Sequence, residues 1–373
     1  MPTAVWKREL ASAYRSLDDL RRRFPRMRIT PAMRKAEATF PMAVSPYYAS
    51  LIRKPDFSDP VFAQCVPNEG ELIEAPWLSG DPLGEIPYSV TPRLVHRYKD
   101  RALLLVTSAC ATYCRHCTRK RVSGCPDAAI RDDELTAACA YLRSHPAVCD
   151  VLVSGGDPLT LSDARIGEIL AALRAVPSVR VIRLCTRMPV TLPSRITAGL
   201  VRILKPRRGQ ACVYLNTQFN HPREITPAST EACRRLIDAG IPVGSQTVLL
   251  RGVNDTPACI EELCRGLFQI RVRPYCLFQC DLVRGIEAFR TPLATGLAIM
   301  KHLRRELSGM AIPNFCLDPP GEGGKIELTP DYVVRRSKTR TVLRNGAGET
   351  FVYPEPTIPP ALHSKGGKGI MGA

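Results

Sequence analysis

The chain has 373 residues, of which 45% are hydrophobic and 23% charged. This composition is typical of a globular protein and excludes a disordered or fibrous one. No apolar run approaches the roughly 18–20 residues of a membrane span, and the N-terminus lacks the apolar segment of a signal peptide. We therefore expect a cytoplasmic protein without a membrane partner.

The formal net charge of +17 is spread over short basic clusters and is not accompanied by a zinc-finger or RNP-like motif. A nucleic-acid partner is therefore the weaker interpretation, and anionic small molecules are another. Fifteen cysteines in a cytoplasmic chain predict reduced thiols rather than disulfides. Those scattered singly among apolar residues are expected to be small core residues: Cys139, Cys149, Cys185, Cys212 and Cys233.

Residues 1–95 read as a helical and irregular N-terminal extension. Leu17, Leu20 and Phe24 recur at helical spacing, and Thr30-Pro31 is typical of the start of a second helix. Residues 61–95 contain five prolines, which would interrupt a long helix. We expect this stretch to be extended and irregular.

From residue 101, β-branched apolar runs alternate with helical patterns, which indicates an α/β fold with parallel strands. One helix has Ser162 or Asp163 placed to cap it. The number of units favours a partial or complete β/α barrel over a two-sided open sheet. The predicted strands cover 103–107, 150–154, 179–185, 212–217, 242–250 and 272–279.

The predicted segments are an extension (1–95), a barrel (96–300) and a C-terminal segment (301–373). A helix predicted over 293–308 crosses the boundary between the last two segments. The C-terminal segment also contains a short strand at 315–318 and a Pro-, Gly- and Lys-rich tail from about 355, expected to be partly disordered.

Polar residues follow the ends of the predicted strands, where barrel enzymes place their active sites. This pattern indicates an enzyme before any resemblance is considered. The residues are the cysteine loop after 107, Ser154–Asp157, Thr186-Arg187, Asn216–His221, Gln246 and Cys280-Asp281.

The cysteine loop places Cys110, Cys114 and Cys117 at gaps of three and two residues, with no fourth ligand nearby. A structural zinc site uses four protein ligands, and a [4Fe–4S] cluster usually takes four cysteines. Three thiolates would leave one iron open to a ligand from outside the protein. We interpret the loop as an iron–sulfur site with chemistry at that iron.

A glycine turn, a lysine and two aspartates each have both a plain and a functional interpretation. Gly155-Gly156, followed by Asp157, is a tight turn or a place where a ligand approaches the backbone. Lys325, in a glycine-rich loop, is a solvated charge or a Schiff-base lysine. Asp281 and Asp318 are turn caps or an anionic pocket for a cationic group.

Taken together, these motifs resemble the lysine 2,3-aminomutase family of radical S-adenosylmethionine enzymes, from about residue 45 to 355. The residues that carry the resemblance are Cys110–Cys117 with the following Thr-Arg-Lys-Arg, Ser154–Asp157, Leu249–Asp255 and Pro320–Lys325. The resemblance implies a partial (β/α)6-type TIM barrel as the radical S-adenosylmethionine core, followed by a C-terminal segment with a pyridoxal-phosphate lysine.

The resemblance also implies a role for each matched residue. The three loop cysteines would hold a [4Fe–4S] cluster, and Arg119 would bind the substrate carboxylate. Asp281 and Asp318 would receive the side-chain ammonium of lysine, and Lys325 would bind pyridoxal 5′-phosphate. The expected S-adenosylmethionine contacts are Gly155, Gly156, Asp157 and Gln246, and the expected pyridoxal-phosphate contacts are Arg97, Tyr98 and Arg101.

The implied reaction moves the α-amino group of L-lysine to the β-carbon through a 5′-deoxyadenosyl radical. A flavodoxin or ferredoxin would supply the electron. Arginine or ornithine stays open as the substrate, and a catalytically inactive iron–sulfur protein that binds S-adenosylmethionine is the alternative from another class.

The sequence departs from the family pattern in three respects, one of which is a small basic insertion around residues 205–210. The segment after 355 lacks the cysteines that bind an interfacial zinc in clostridial members, and Thr256 follows Asn254-Asp255 where their partner cysteine is expected. We therefore expect a homo-oligomer, dimer or tetramer, without that zinc. Gln218 stands where those members are expected to have a histidine.

Overall fold

The structure, a computed structural model, describes residues 4–126, 129–205, 208–320, 323–345 and 347–355. The predicted tail beyond 355 and two residues of the lysine loop, Gly321 and Glu322, lie outside the described residues. The chain divides into two compact units, one up to Leu328 and one from Thr329 onwards.

Short helices form most of the N-terminal extension, as predicted. Ser16 and Thr30 cap the second and third by accepting hydrogen bonds from the backbone N–H groups of Asp19 and Met33. Leu17 and Leu20 are fully buried and share one core with the strands of the barrel. The helices are α1 (Val5–Ala11), α2 (Leu17–Arg23), α3 (Pro31–Thr39), α4 (Pro46–Ser50) and α5 (Pro60–Cys65).

One sheet organises the first unit, and its strands lie in chain order from β1 to β10. The strands from β3 to β9 run parallel to one another, while β1, β2 and β10 pair antiparallel at the two edges. The strands are β1 (Ser89–Thr91), β2 (Leu94–Tyr98), β3 (Arg101–Thr107), β4 (Asp150–Gly155), β5 (Val181–Cys185), β6 (Cys212–Thr217), β7 (Val243–Val248), β8 (Arg273–Phe278), β9 (Asn314–Leu317) and β10 (Ile326–Glu327).

Helices alternate with these parallel strands. Ser162, rather than Asp163, caps α7 by accepting a hydrogen bond from the backbone N–H of Arg165. Consecutive strands that stay neighbours form a singly wound β/α sheet, so the predicted partial barrel is confirmed. The helices are α6 (Asp132–Ser144), α7 (Asp163–Arg174), α8 (Met188–Thr191), α9 (Ala198–Leu204), α10 (Pro227–Asp238), α11 (Pro257–Gln269) and α12 (Leu293–Glu306).

Short 3-10 helices link these elements in the first unit. They cover Glu69–Leu72, Ile86–Tyr88, Pro158–Thr160, Pro193–Arg195, Pro222–Glu224, Glu287–Phe289 and Gly309–Ala311.

The proline-rich stretch contains two strands that the sequence pattern did not predict, β1 and β2. Pro87 precedes β1 and Pro92 lies between the two strands. Because both prolines lie outside the strands, neither has to donate a hydrogen bond within the ladder, in which β1 pairs antiparallel with β2 and β2 with β3. These strands bring the extension to the edge of the barrel beside the predicted pyridoxal-phosphate residues.

The second unit contains an antiparallel three-stranded sheet of β11 (Val333–Arg336), β12 (Arg340–Arg344) and β13 (Thr350–Pro354). Across the described residues, no helix has both the length and the apolar character needed to cross a membrane.

Candidate active site

The cysteine loop follows β3 directly, so the predicted iron–sulfur residues lie at the carboxyl end of the first parallel strand. Cys110, Cys114 and Cys117 are free, partly buried thiols. Burial raises the pKa of the Cys110 and Cys117 thiols, and the neighbouring loop cysteines raise them further. The three thiols therefore lie within electrostatic reach of one another.

Three cysteines on one loop are the donor set expected of a [4Fe–4S] cluster with one open iron. Among the described residues, no group of three or more His, Cys, Asp or Glu side chains is placed to hold one metal ion. Cysteines that bind an iron–sulfur cube each hold a different iron, so their sulfurs do not converge on one point. A loop of three separate thiols fits that requirement.

The N-terminal extension holds the cysteine loop through Arg115, which lies between two of the cysteines and is fully buried. Its Nε and Nη2 donate to the two carboxylate oxygens of Glu71 at 2.8 and 2.7 Å. Its Nη1 donates to the carbonyls of Phe40 and Pro41, both at 2.9 Å. A buried bidentate pair with its remaining donors satisfied fixes the loop geometrically.

The glycine pair after β4 is packed against the backbone of the same loop. Gly155 has φ of +119°, and a Cβ at Gly156 would lie 2.4 Å from the carbonyl oxygen of Ala109. The backbone N–H of Gly156 donates to the carbonyl of Thr107 at 2.6 Å. These glycines therefore let β4 approach the start of the cysteine loop, and their contact with S-adenosylmethionine stays a prediction.

Asp157 is buried and forms local hydrogen bonds. Its Oδ1 accepts from Thr186 Oγ1 at 2.7 Å and from the Leu159 N–H at 3.0 Å, and its Oδ2 accepts from the Arg187 N–H at 2.8 Å. Burial raises the pKa of this carboxyl group. Gln246 is half-buried on β7. The hydrogen bonds of Asp157 therefore connect the end of β4 to the end of β5.

The two predicted acids and the predicted cofactor lysine come together at the ends of β8 and β9. Lys325 Nζ donates to Asp318 Oδ2 at 2.6 Å and lies 4.2 Å from the centroid of the Phe278 ring. Burial raises the pKa of Asp281 to about 6, and the charge of Asp318 adds to this shift. Thr118, next to the last loop cysteine, donates to Asp281 Oδ2 at 2.5 Å.

The predicted pyridoxal-phosphate residues lie beside the lysine loop. A Cβ at Gly324 would lie 3.7 Å from the Tyr98 ring, and the Arg101 guanidinium lies 3.9 Å from that ring's centroid. Arg97 Nη1 donates to the carbonyl of Leu83 at 2.6 Å. Two arginines, an aromatic ring and a lysine fit the phosphate, ring and aldehyde of pyridoxal phosphate.

Arg119 is already engaged by an acid that the sequence pattern did not single out. Its Nε and Nη2 both donate to Glu85 Oε1, at 2.9 and 2.7 Å, and Glu85 also accepts from Arg121 at 2.7 Å. Glu85 is buried in the proline-rich stretch, where no local pattern marks it as functional. The predicted contact of Arg119 with a substrate carboxylate would have to use its Nη1 edge.

Gln218, which departs from the family pattern, donates to His116 within the cysteine loop. Gln218 Nε2 lies 3.1 Å from His116 Nε2, and Asn220 Nδ2 lies 3.2 Å from the same atom. Burial holds the pKa of His116 well below its usual range, so the ring is neutral. With two amides donating to Nε2, the proton of the ring lies on Nδ1.

A parallel β/α core with a three-cysteine loop after its first parallel strand is the arrangement that the resemblance to radical S-adenosylmethionine enzymes implies. The family model for lysine-2,3-aminomutase matches residues 300–364. An L-lysine 2,3-aminomutase from Acetoanaerobium sticklandii is 44% identical over 94% of this chain and 84% of its own length. One from Clostridium subterminale is 48% identical over 84% of this chain and 75% of its own.

Two other proteins similar to this chain carry different names. A glutamate 2,3-aminomutase from Clostridioides difficile is 41% identical over 86% of this chain and 75% of its own length. The crystal structure of a radical SAM methyltransferase from Sphaerobacter thermophilus covers 60% of this chain and 68% of its own, at 20% identity and a TM-score of 0.45.

The identity over most of the chain shows that it belongs to the lysine 2,3-aminomutase family. The protein is therefore an isomerase, a radical S-adenosylmethionine aminomutase that acts on an amino acid. Membership implies a [4Fe–4S] cluster and S-adenosylmethionine, and the three loop cysteines fit that cluster.

Proposed function

We propose that this aminomutase moves the α-amino group of L-lysine to the β-carbon, with pyridoxal 5′-phosphate bound at Lys325. The observation that carries the proposal is the group formed by Asp281, Asp318 and Lys325 at two neighbouring strand ends. It combines an amine for the cofactor with two carboxylates for a cationic side chain.

The ion pair of Lys325 supports a cation site at Asp318. The Lys325 ammonium lies 2.6 Å from Asp318 Oδ2 and over the face of Phe278, so this position already accommodates an alkylammonium group. When Lys325 is engaged elsewhere, Asp318 is left without this partner. A buried carboxylate without a partner is unfavourable, and a substrate ammonium would replace the one it has lost.

The ionisation of Asp281 fits the same substrate class. With its pKa raised to about 6, this carboxyl group is mainly ionised at neutral pH. Two carboxylates would repel a substrate with an acidic side chain, such as glutamate. The two aspartates therefore favour lysine over glutamate, whereas arginine and ornithine also carry a suitable positive charge.

The chain's own residues bind and orient the groups of the reaction. When bound, pyridoxal phosphate would supply a covalent attachment for the migrating nitrogen, and S-adenosylmethionine on the cluster would supply radical chemistry at the β-carbon. Arg97, Tyr98 and Arg101 would hold the cofactor's phosphate and ring. Arg119, held in place by Glu85, would direct its Nη1 edge toward the substrate carboxylate.

A substrate panel tests this proposal. The full chain is reconstituted anaerobically with iron, sulfide and pyridoxal phosphate, then incubated with S-adenosylmethionine, a reductant and lysine, arginine, ornithine or glutamate. We expect β-lysine as the main product. Asp281→Asn and Asp318→Asn should each raise the KM for lysine at least tenfold, because each removes an ionic contact worth about 1.5–3 kcal/mol.

A control separates the cofactor from the substrate pocket. Lys325→Ala should lose the visible absorption of lysine-bound pyridoxal while it retains the absorption of the cluster. If Lys325→Ala retained the pyridoxal absorption, the role of Lys325 would be wrong. Preferred turnover of glutamate, or unchanged lysine kinetics in both asparagine variants, would overturn the substrate assignment.

A further inference from the structure

Arg187 is a buried charge that the sequence pattern placed at a strand end without a role. It follows β5 and has only 7% of its surface exposed. Its Nη1 donates to Cys114 Sγ at 2.9 Å. A fixed positive charge therefore contacts the sulfur of a proposed cluster ligand.

The opposite edge of the guanidinium is held by three polar side chains. Its Nη2 donates to Gln64 Oε1 at 2.6 Å, to Glu224 Oε1 at 2.7 Å and to the hydroxyl of Tyr48 at 3.1 Å. Its Nε lies 3.3 Å from the carbonyl oxygen of Gln218. These contacts leave the Nη1 edge directed at Cys114.

Glu224 supplies the counter-charge and is itself fully buried. Its Oε1 also accepts from the hydroxyl of Tyr48 at 2.7 Å, and its Oε2 accepts from the Asn220 N–H at 2.6 Å. Because both carboxylate oxygens are satisfied, the pair has a single well-determined geometry. The position of Arg187 is thus set independently of any bound cofactor.

The backbone of Arg187 is fixed from a third side. Its N–H donates to Asp157 Oδ2, the carboxylate that also orders the turn after β4. The same residue therefore joins the β4 turn, the extension residues Tyr48 and Gln64, and the cysteine loop.

We propose that Arg187 is a positioning residue that raises the reduction potential of the cluster through its hydrogen bond to Cys114. The inference rests on the proposed role of the three cysteines as cluster ligands. Hydrogen bonds to ligand sulfurs and nearby charge set the potentials of such clusters. A cationic donor stabilises the reduced form, in which the cluster has taken one electron from an external one-electron reductant and no bond has broken.

Three variants of the full chain, reconstituted anaerobically without S-adenosylmethionine, test the inference. Arg187→Gln removes the charge, and Arg187→Lys retains a charge that cannot reach both Glu224 and Cys114. Tyr48→Phe is the matched control, since it removes one contact of the guanidinium and leaves the contact with Cys114. The midpoint potential is measured by dithionite titration followed by electron paramagnetic resonance.

We expect Arg187→Gln to disfavour reduction at least tenfold relative to the wild type, which is about 59 mV for a one-electron couple. Arg187→Lys should shift the potential in the same direction by less, and Tyr48→Phe by less than Arg187→Lys. Unchanged potentials in both Arg187 variants would overturn the inference and leave the aminomutase proposal intact.

The experiment also has a defined outcome when a variant does not bind the cluster. If Arg187→Gln loads no iron, Arg187→Lys decides the outcome. If neither variant loads iron while both retain the wild-type circular dichroism, Arg187 is needed to build the site and the tuning role is overturned. If the wild type itself holds no cluster, the proposed function fails together with the inference.

Discussion

At the scale of single residues, Thr118 connects the cysteine loop to Asp281 in the proposed substrate pocket. It follows Cys117 and precedes Arg119, and its hydroxyl donates to Asp281. Burial raises the pKa of Asp281 to about 6, while this hydrogen bond opposes the rise. The hydroxyl therefore helps to keep Asp281 ionised at neutral pH.

This arrangement predicts a pH dependence of lysine binding. As the pH falls through about 6, Asp281 becomes protonated and the KM for lysine should rise, by up to tenfold per pH unit. Thr118→Val should move this rise in KM to higher pH by about one to two units, because a hydrogen bond to a charged group contributes about 1.5–3 kcal/mol. KM measured from about pH 5 to pH 8 checks both expectations.

Thr118→Ser is the control, since it retains the hydroxyl and should leave the rise in KM at the same pH as in the wild type. A rise in KM that stayed at the wild-type pH in Thr118→Val would contradict the assignment.

The folding free energy depends on pH with the opposite sign. Because the folded pKa of Asp281 lies above the ordinary value of 3.8, the contribution of this group to stability is full at low pH and is lost as the pH rises through about 6.

At the scale of elements, the turn after β4 depends on glycine. A Cβ at Gly156 would lie 2.4 Å from the carbonyl oxygen of Ala109 and 2.7 Å from the backbone carbon of Ser108. Neither atom can move without displacing the cysteine loop. Gly156→Ala should therefore lower the free energy of unfolding by about 1–3 kcal/mol and reduce iron loading.

Gly167→Ala is the matched control on α7. The nearest atom to its added Cβ is Ile203 Cγ2 at 3.8 Å, an ordinary van der Waals contact. Alanine should stabilise this helix by about 0.5–1 kcal/mol and leave iron loading unchanged. The Tm and the iron content of both variants are measured after identical reconstitution, and normal loading in Gly156→Ala would argue against this packing role.

The parallel core was predictable because each strand carries its own signal. The run at 212–217 matches β6 (Cys212–Thr217), and the helix from 293 matches α12 (Leu293–Glu306). The antiparallel strands β1 and β2 were missed, because β2 is set by its pairing with β3, and β1 by its pairing with β2, rather than by local pattern. The interpretation of Cys212 as a core residue was wrong, since it lies on an outward-facing position of β6 and is exposed.

The site was predictable where residues lie at strand ends, and less so where distant segments meet. Asp281 and Asp318 lie close together, as expected for residues that follow neighbouring parallel strands, whereas the contact of Lys325 with Asp318 was not predicted from strand order. No spacing rule links Arg119 to Glu85, which lies 34 residues earlier in an irregular stretch. The packing of Gly156 against Ala109 likewise depends on tertiary structure.

At the scale of the whole molecule, the extension takes part in building the active site. Its helices share one hydrophobic core with the barrel strands. It supplies Glu71, Gln64 and Tyr48 to the arginines beside the loop cysteines, and Glu85 to Arg119. The cysteine loop is therefore held by the extension on one side and by the ends of β4 and β5 on the other.

The position of the amino nitrogen in the product tests whether this site performs the proposed migration. Reconstituted wild-type protein is given L-lysine labelled with ¹⁵N at the α-amino group and ¹³C at carbons 2 and 3, and the products are followed by nuclear magnetic resonance. We predict ¹⁵N bonded to carbon 3 in the wild type and only to carbon 2 in Lys325→Ala. Protein that holds both the cluster and pyridoxal phosphate, yet leaves all ¹⁵N on carbon 2, would contradict the proposed function.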